Sequence, residues 1–103
     1  MTKIRVSFRM EAEERFIDKL VDSESTLMYD ILDRAEYPEI TGIRGEVSRL
    51  GDTEVTLVYE MDTEDSFAKN YAKKWEHHLD YIIPFDMYPG IKSVYGCEVV
   101  EVE

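Results

Sequence analysis

Cysteine is almost missing from this sequence: Cys97 is the single one among 103 residues. One cysteine excludes an internal disulfide and a zinc site built from several thiolates. Cys97 also lacks a second thiol in the chain that could resolve an oxidised intermediate, so we do not expect it to act as a nucleophile. A chain without disulfides is typical of a reducing compartment, which favours the cytoplasm.

Long apolar runs are missing as well. The longest uninterrupted apolar run has only a few residues, far fewer than a membrane-spanning helix requires. The first ten residues, MTKIRVSFRM, alternate charged and apolar side chains and lack the apolar block of a signal peptide. We therefore predict a cytoplasmic protein that does not contact a membrane.

Positive charge is scarce, because 12 Lys and Arg residues stand against 23 Asp and Glu residues, for a net charge of −11. Such a chain repels phosphates, so we predict no direct binding to nucleic acid. The acidic balance has two interpretations: it keeps the protein soluble, or it matches a basic protein partner. With 44% hydrophobic residues the chain can still bury a core. At this length we expect one domain covering residues 1–103.

The two halves of the sequence, about 1–51 and 52–103, resemble each other when the chain is shifted by 51 residues. The stretch from residue 37 reads YPEITGIRGEV, and the stretch from residue 88 reads YPGIKSVYGCEV. Met10 falls on Met61 and Phe16 falls on Phe67 in this alignment. Gene duplication and convergence both explain this similarity between the halves, and both predict that one structural unit occurs twice in the chain.

Hydrophobic periodicity gives each half the order strand, helix, strand. Strict alternation over residues 3–10 and 54–61 predicts two strands, and helical spacing over 12–35 and 63–83 predicts two helices. Further strands are predicted at about 41–50 and 91–102. The order β-α-β-β-α-β is that of the α+β, ferredoxin-like split βαβ fold. Right-handed crossovers then give an antiparallel four-stranded sheet of order 4-1-3-2 with both helices on one face.

Two local irregularities are expected within these elements. The segment 22–26, rich in Ser and Thr, divides the first helical pattern, so that region is either one long helix or two short ones. Val99 and Val100 are adjacent apolar residues, and they break the alternation of the last strand. We therefore expect a β-bulge near residues 96–100.

The predicted outer face of the sheet is polar. Tyr59 has inward parity, so the two central strands lack the exposed aromatic platform on which RNA-binding domains of this topology stack bases. Cross-strand pairing of arginine with glutamate is the simplest interpretation of this face. The outward side chains of the first and third strands are Lys3, Arg5, Ser7, Arg9, Glu54, Thr56, Val58 and Glu60.

A candidate ligand pocket lies between the second helix and the loop at residues 84–90. On the helix, Asp80 and Tyr81 follow His77 at the third and fourth positions, which could orient His77 as a general base. The HExxH spacing of metal-binding helices is absent, and a structural role explains the same residues. We predict no metal, no cofactor and no assigned catalytic residue. The predicted pocket would be lined by Trp75, His77, Tyr81, Asp86 and Tyr88.

Acidic residues collect where each predicted strand passes into a helix. These carboxylates stabilise the helix dipoles in the simplest interpretation, and they form two patches for a basic partner in the other. The topology places the two patches at opposite ends of the sheet. One patch contains Glu11, Glu13, Glu14 and Asp52, and the other contains Asp62, Glu64 and Asp65.

These features predict a small acidic, non-enzymatic regulatory domain that binds a protein partner. A more specific version of this prediction is an inhibitor that mimics the charge of nucleic acid. The alternative is a small-molecule-binding protein or small enzyme that uses the pocket at the second helix. We expect either a monomer or a homodimer that pairs through an edge strand. Topology alone does not decide among these functions.

Overall fold

The elements follow one another along the chain in the predicted order, β-α-β-β-α-β. A computed structural model describes residues 1–23, 27, 30, 40–70, 72–77, 88 and 90–102. Strand β1 covers Thr2–Ala12, helix α1 covers Glu14–Ser23, and strands β2 and β3 cover Thr41–Arg49 and Glu54–Thr63. Helix α2 covers Asp65–Asn70, a 3-10 turn covers Ala72–Lys74, and strand β4 covers Ile91–Val102.

The four strands form one antiparallel sheet with the order β2-β3-β1-β4. Strand β1 pairs with β3 on one side and with β4 on the other, while β2 pairs with β3. This is the predicted order 4-1-3-2 counted from the other edge. The ferredoxin-like α+β fold is therefore confirmed.

The core lies on one face of this sheet, and both helices pack there. Alternate residues of β1 and β3 are fully buried, as the period-2 pattern requires. Helix α1 adds Ile17 and Leu20, and helix α2 adds Phe67 and Ala68. The strand residues of the same cluster are Ile4, Val6, Phe8, Met10, Ala12, Ile43, Val47, Val55, Leu57, Tyr59, Met61, Ile91 and Val99.

The second helix differs from its predicted range of 63–83. Strand β3 continues through Thr63, which is fully buried and donates its hydroxyl to the carbonyl of Thr2 at 3.3 Å. Asp62 pairs with Lys3 in the sheet, so it is a strand residue and not part of a helix start. The 3-10 turn covers Ala72–Lys74, and residues 75–77 are helical. Residues 78–83 lie outside the described residues.

The first helix begins later than predicted, because β1 continues through Ala12. Ala12 is fully buried, and its N–H donates to the carbonyl of Thr53 at 2.9 Å, which binds the strand end to the β2–β3 turn. Leu27 and Asp30 are helical too. The predicted interruption at 22–26 falls largely outside the described residues.

The bulge predicted in the last strand is confirmed at Gly96. Ser7 pairs with Glu98 whereas Arg9 pairs with Tyr95, so β4 contains one extra residue opposite Phe8. Gly96 has φ of 66°, the left-handed conformation that glycine adopts most easily in a bulge. A second irregularity in the sheet lies between Thr41 and Arg44 of β2.

The outer face is polar, as predicted. Arg5 donates from Nε and Nη2 to one carboxylate oxygen of Glu60, at 3.2 and 2.8 Å. This pair confirms the expected cross-strand contact between arginine and glutamate. Tyr59 is fully buried on the opposite face. Within the described ranges, no helix has the length and apolar character to cross a membrane.

Candidate functional site

A phenol lies at the centre of the inner sheet face. Tyr59 pairs with Val6 on one side and with Gly45 on the other, and its ring stacks on Phe8 with centroids 6.1 Å apart. Gly45 makes this placement feasible, because a Cβ at that position would overlap the ring of Tyr59. Burial raises the pKa of Tyr59 far above its usual value, and the neighbouring Tyr88 raises it further.

Tyr88 brings a second phenol to this region. Its hydroxyl donates to a carboxylate oxygen of Asp30 at 2.7 Å, and both side chains are half-buried. Burial and the hydrogen bond to Asp30 raise the pKa of Tyr88 to about 12. At neutral pH the phenol is therefore protonated and acts as a hydrogen-bond donor. We call Tyr88, Asp30 and Tyr59 the tyrosine–aspartate site.

Backbone contacts fix the segment that carries Tyr88. The Tyr88 carbonyl accepts from the N–H of Ile91 at 3.1 Å, and the Gly90 carbonyl accepts from the N–H of Glu13 at 2.9 Å. Gly90 lies against the ring of Phe16, where a side chain would not fit. The position of Tyr88 is therefore set by both the start of α1 and the start of β4.

The predicted pocket at the second helix is only partly described. Trp75 is buried and packs edge-to-face on Phe67 with centroids 5.5 Å apart, while His77 is exposed. Tyr88 belongs to the tyrosine–aspartate site described above. Tyr81 and Asp86 lie outside the described residues. This pocket and the proposed base His77 stay predictions.

The acidic patch at the first end of the sheet is partly neutralised by arginines. Arg49 contacts Asp18 at 3.1 Å and Asp52 at 3.6 Å, and Arg15 contacts Glu13 at 2.8 Å. Glu11 is not in a turn, because it belongs to β1 and pairs with Glu54. Beside this patch lies an open groove of about 560 Å³, lined by Glu13, Glu14, Arg15, Asp18 and Arg49.

The acidic patch at the other end contacts the start of β1. Asp65 accepts a hydrogen bond from the Thr2 hydroxyl at 2.6 Å, and this contact contributes most to the lowered pKa of Asp65. Glu64 precedes α2, and its carbonyl accepts from the N–H of Ala68 at 3.1 Å. The structure places the two patches at opposite ends of the sheet, as the topology predicted. Their proposed role in partner binding stays a prediction.

The described part of the chain holds no group of three or more His, Cys, Asp or Glu side chains positioned to bind one ion. Burial, together with the nearby Glu76, raises the pKa of the Cys97 thiol to about 12. A protonated thiol is a poor nucleophile at neutral pH, in keeping with the interpretation of Cys97 from the sequence.

Sequence reasoning missed two parts of the tyrosine–aspartate site. Tyr59 was assigned to the inner face by parity, but the alternation of β3 could not indicate that a second phenol lies beside it. Asp30 lies on the first helical pattern, and its partner Tyr88 is 58 residues away. The glycine at position 45 was the available signal, since a glycine inside a strand often marks a close approach.

Comparison with known proteins supports the fold and little beyond it. No family model matches this chain, and no curated protein has a detectably similar sequence. Similar solved structures include a protein from Shewanella oneidensis, with 19% identity, a TM-score of 0.47, and coverage of 98% of this chain and 91% of that one. An antibiotic biosynthesis monooxygenase is 13% identical to this chain with a TM-score of 0.45, and the alignment covers 97% of this chain and 96% of the monooxygenase chain. SnoaB, a cofactor-independent oxygenase from Streptomyces nogalater, is 8% identical with a TM-score of 0.49, and covers 100% of this chain and 95% of its own.

These comparisons correct the main functional prediction from the sequence. Two of the similar structures are named as oxygenases, which matches the alternative of a small-molecule-binding protein better than a regulatory domain that binds a protein. The prediction of a protein-binding regulator was therefore wrong. Likeness at this level of identity shows the fold alone, so the function is argued below from the residues of this chain.

Proposed function

We propose that this protein binds a small organic molecule at the tyrosine–aspartate site. The observation that carries the proposal is the 2.7 Å hydrogen bond between Tyr88 and Asp30, formed by two half-buried side chains beside the buried phenol of Tyr59. A few convergent polar groups at the border of an apolar core are typical of small-molecule sites. Among the described residues, the other buried side chains of this sheet face are apolar, apart from Thr63.

The chemistry of the site indicates a hydroxylated aromatic ligand. The Tyr88 hydroxyl has one proton, which it donates to Asp30, so a ligand hydroxyl that inserts between the two side chains would replace this bond by accepting from Tyr88 and donating to Asp30. An aromatic ring suits the neighbouring rings of Tyr59 and Phe8. Anionic ligands are disfavoured by Asp30 and by the net charge of −11.

Titration calorimetry with phenol, catechol, 1-naphthol and benzoate tests the proposal. We expect saturable binding of the neutral phenols and much weaker binding of benzoate. Tyr88→Phe should weaken the binding of the neutral phenols about two- to twelvefold, because it removes one hydrogen bond with a net contribution of about 0.5–1.5 kcal/mol. Tyr95→Phe is the matched control, since Tyr95 is an exposed tyrosine of β4 that is 42% accessible.

Two results would contradict this function. One is the absence of saturable binding for every neutral phenol tested. The other is an equal loss of affinity in Tyr88→Phe and Tyr95→Phe. A loss confined to His77→Ala would place the ligand in the pocket predicted at the second helix and would overturn the tyrosine–aspartate site.

We also propose a cytoplasmic location. Its support is the sequence, which has one cysteine and so cannot form an internal disulfide. Fluorescence microscopy of a tagged chain in its native host tests it, and a signal at the cell envelope would refute it.

A further inference from the structure

Strand β4 lies at one edge of the sheet, so within the described part of the chain one side of its backbone has no neighbouring strand. At Val99 that side is occupied by a side chain: the N–H of Val99 donates to a carboxylate oxygen of Glu76 at 3.0 Å. Glu76 is anchored in turn by Lys73, whose ammonium lies 3.5 Å away. The Glu76–Val99 contact therefore satisfies a backbone donor that another strand would otherwise use.

The other edge of the sheet is protected in a different way. Strand β2 has an irregular register near Gly42, with φ of 61°, and exposed charges at Arg44, Glu46 and Arg49. Bulges and charges are common means by which edge strands avoid pairing with other chains. The last part of β4 combines three valines, Val99, Val100 and Val102, with two exposed glutamates, Glu98 and Glu101, after the bulge at Gly96.

We propose that the outer edge of β4 is an interaction surface for the β4 strand of a second copy of this chain, and that Glu76 keeps this surface closed. This inference concerns a different face from the tyrosine–aspartate site and does not depend on it. Identical strands that pair antiparallel about a two-fold axis are self-complementary, as a symmetric dimer requires. Opening the surface requires the Glu76 carboxylate to leave the N–H of Val99.

Charge and hydrogen-bond direction select one register for this pairing. Val99 and Glu101 have the same parity, so both direct their backbone groups toward the free side, and they form hydrogen-bonded pairs when Val99 of one copy faces Glu101 of the other. Val100 then faces Val100 across the axis. Glu98 faces Val102, so no two of these carboxylates lie directly opposite each other. Val100 is 37% exposed in the single chain, and the pairing would cover it.

Analytical ultracentrifugation of Glu76→Ala tests the proposal. The wild-type chain should sediment as a monomer of 12.1 kDa at neutral pH, while Glu76→Ala should form a dimer as its concentration rises. The dissociation constant of the Glu76→Ala dimer should be about a hundredfold lower than that of the wild type. Each of the two copies loses one charge-assisted Glu76–Val99 hydrogen bond that competes with strand pairing, and each loss should contribute about tenfold. Glu46→Ala is the matched control, because it removes an exposed carboxylate from the other edge strand. Glu76→Gln keeps an acceptor for Val99 and should stay closer to the wild type.

Cysteine cross-linking tests the register. In a Cys97→Ser background, Val100→Cys should form an intermolecular disulfide when combined with Glu76→Ala, since directly opposed residues of a non-hydrogen-bonded pair have Cα atoms about 4.5 Å apart. Circular dichroism confirms that each variant is folded. Three results overturn the proposal: a monomeric Glu76→Ala, equal dimerisation of Glu46→Ala, or a Val100→Cys variant that cross-links equally well when Glu76 is intact.

Discussion

Gly45 has no Cβ, and the ring of Tyr59 occupies the space that a Cβ at this position would need. The backbone of Gly45 is not left-handed, so glycine is required here because a side chain would not fit beside the ring of Tyr59. Gly51 offers a contrast, because a Cβ at that position would meet nothing within 4 Å.

The first prediction compares these two glycines. Gly45→Ala should lower the free energy of unfolding by about 1–3 kcal/mol, since the added methyl group forces Tyr59 out of its place in a close-packed core. Gly51→Ala should change it by less than about 1 kcal/mol, and in the stabilising direction. Urea denaturation of both variants is the measurement. Equal effects at the two positions would show that the ring of Tyr59 does not lie against Gly45.

The second prediction concerns Tyr88 in alkaline solution. Its pKa is raised to about 12 in the folded chain, whereas an unfolded tyrosine titrates near pH 10. A raised pKa means that this contribution to stability is complete below about pH 10 and is lost as the pH rises toward 12. The unfolding free energy of the wild type should therefore fall over this interval.

Tyr88→Phe separates this contribution from the general effect of alkali. The variant should lose part of the alkaline dependence and be less stable at neutral pH, because Asp30 loses its donor. Tyr95→Phe should keep the full dependence of the wild type. Tyrosinate absorbance gives the titration directly, and a Tyr88 phenol that titrates near pH 10 in the folded protein would contradict the prediction.

At the scale of the element, β4 depends on one residue for its shape. Gly96 places one extra residue in the strand and changes the pairing from Arg9–Tyr95 to Ser7–Glu98. Without this bulge the residues after it would exchange faces, since a shift of one residue reverses the direction of every side chain. The bulge therefore places Val99 in the core.

The third prediction follows from the left-handed φ of Gly96. Gly96→Ala should cost about 1–2 kcal/mol of stability, the usual penalty for a Cβ in this conformation. Gly96→Asn should cost less, because asparagine tolerates the conformation better. A Cβ at this position meets nothing within 4 Å, so a steric clash would not contribute to the loss of stability. Thermal unfolding of the variants would therefore measure the cost of the left-handed backbone conformation. Equal stability of Gly96→Ala and the wild type would argue against a left-handed residue here.

The sequence predicted the strands better than the helix starts and the site. Alternation over β1 and β3 was enough to define the sheet and its inner face, because period 2 is set by the backbone, and the break in alternation at Val99 and Val100 indicated the bulge in β4. It could not show that β1 and β3 continue through Ala12 and Thr63, since these ends are fixed by tertiary contacts with Thr53 and Thr2. The tyrosine–aspartate site joins residues far apart in the chain, and local patterns carry no information about such a meeting.

At the scale of the whole molecule, the excess of acid is the main property. The described ion pairs engage Glu13, Asp18, Asp52, Glu60, Asp65 and Glu76. The chain has 23 acidic residues, so repulsion among carboxylates opposes folding.

The fourth prediction is that moderate salt stabilises this protein. Raising the ionic strength from about 0.01 M to 0.15 M shortens the screening length from about 30 Å to 8 Å and weakens this repulsion. We expect a higher melting temperature in sodium chloride, measured by calorimetry, and a smaller change in sucrose of equal osmolarity. A lower melting temperature in salt would mean that attractive pairs such as Arg5–Glu60 outweigh the repulsion.

The sheet order has a consequence for the two similar halves of the chain. Both neighbours of β1 come from the second half, and β2 also pairs with β3 of that half, so neither half contains a strand pair of its own. A break between Leu50 and Gly51 would leave two fragments, each with half of a core and no ladder in which to satisfy its backbone. Neither fragment should fold by itself, but the two fragments together should form the four-stranded sheet. If each fragment is fused to a different protein, folding should then depend on contact between those two proteins. The turn between β2 and β3 is therefore a suitable place to divide this protein into a two-fragment reporter of protein association.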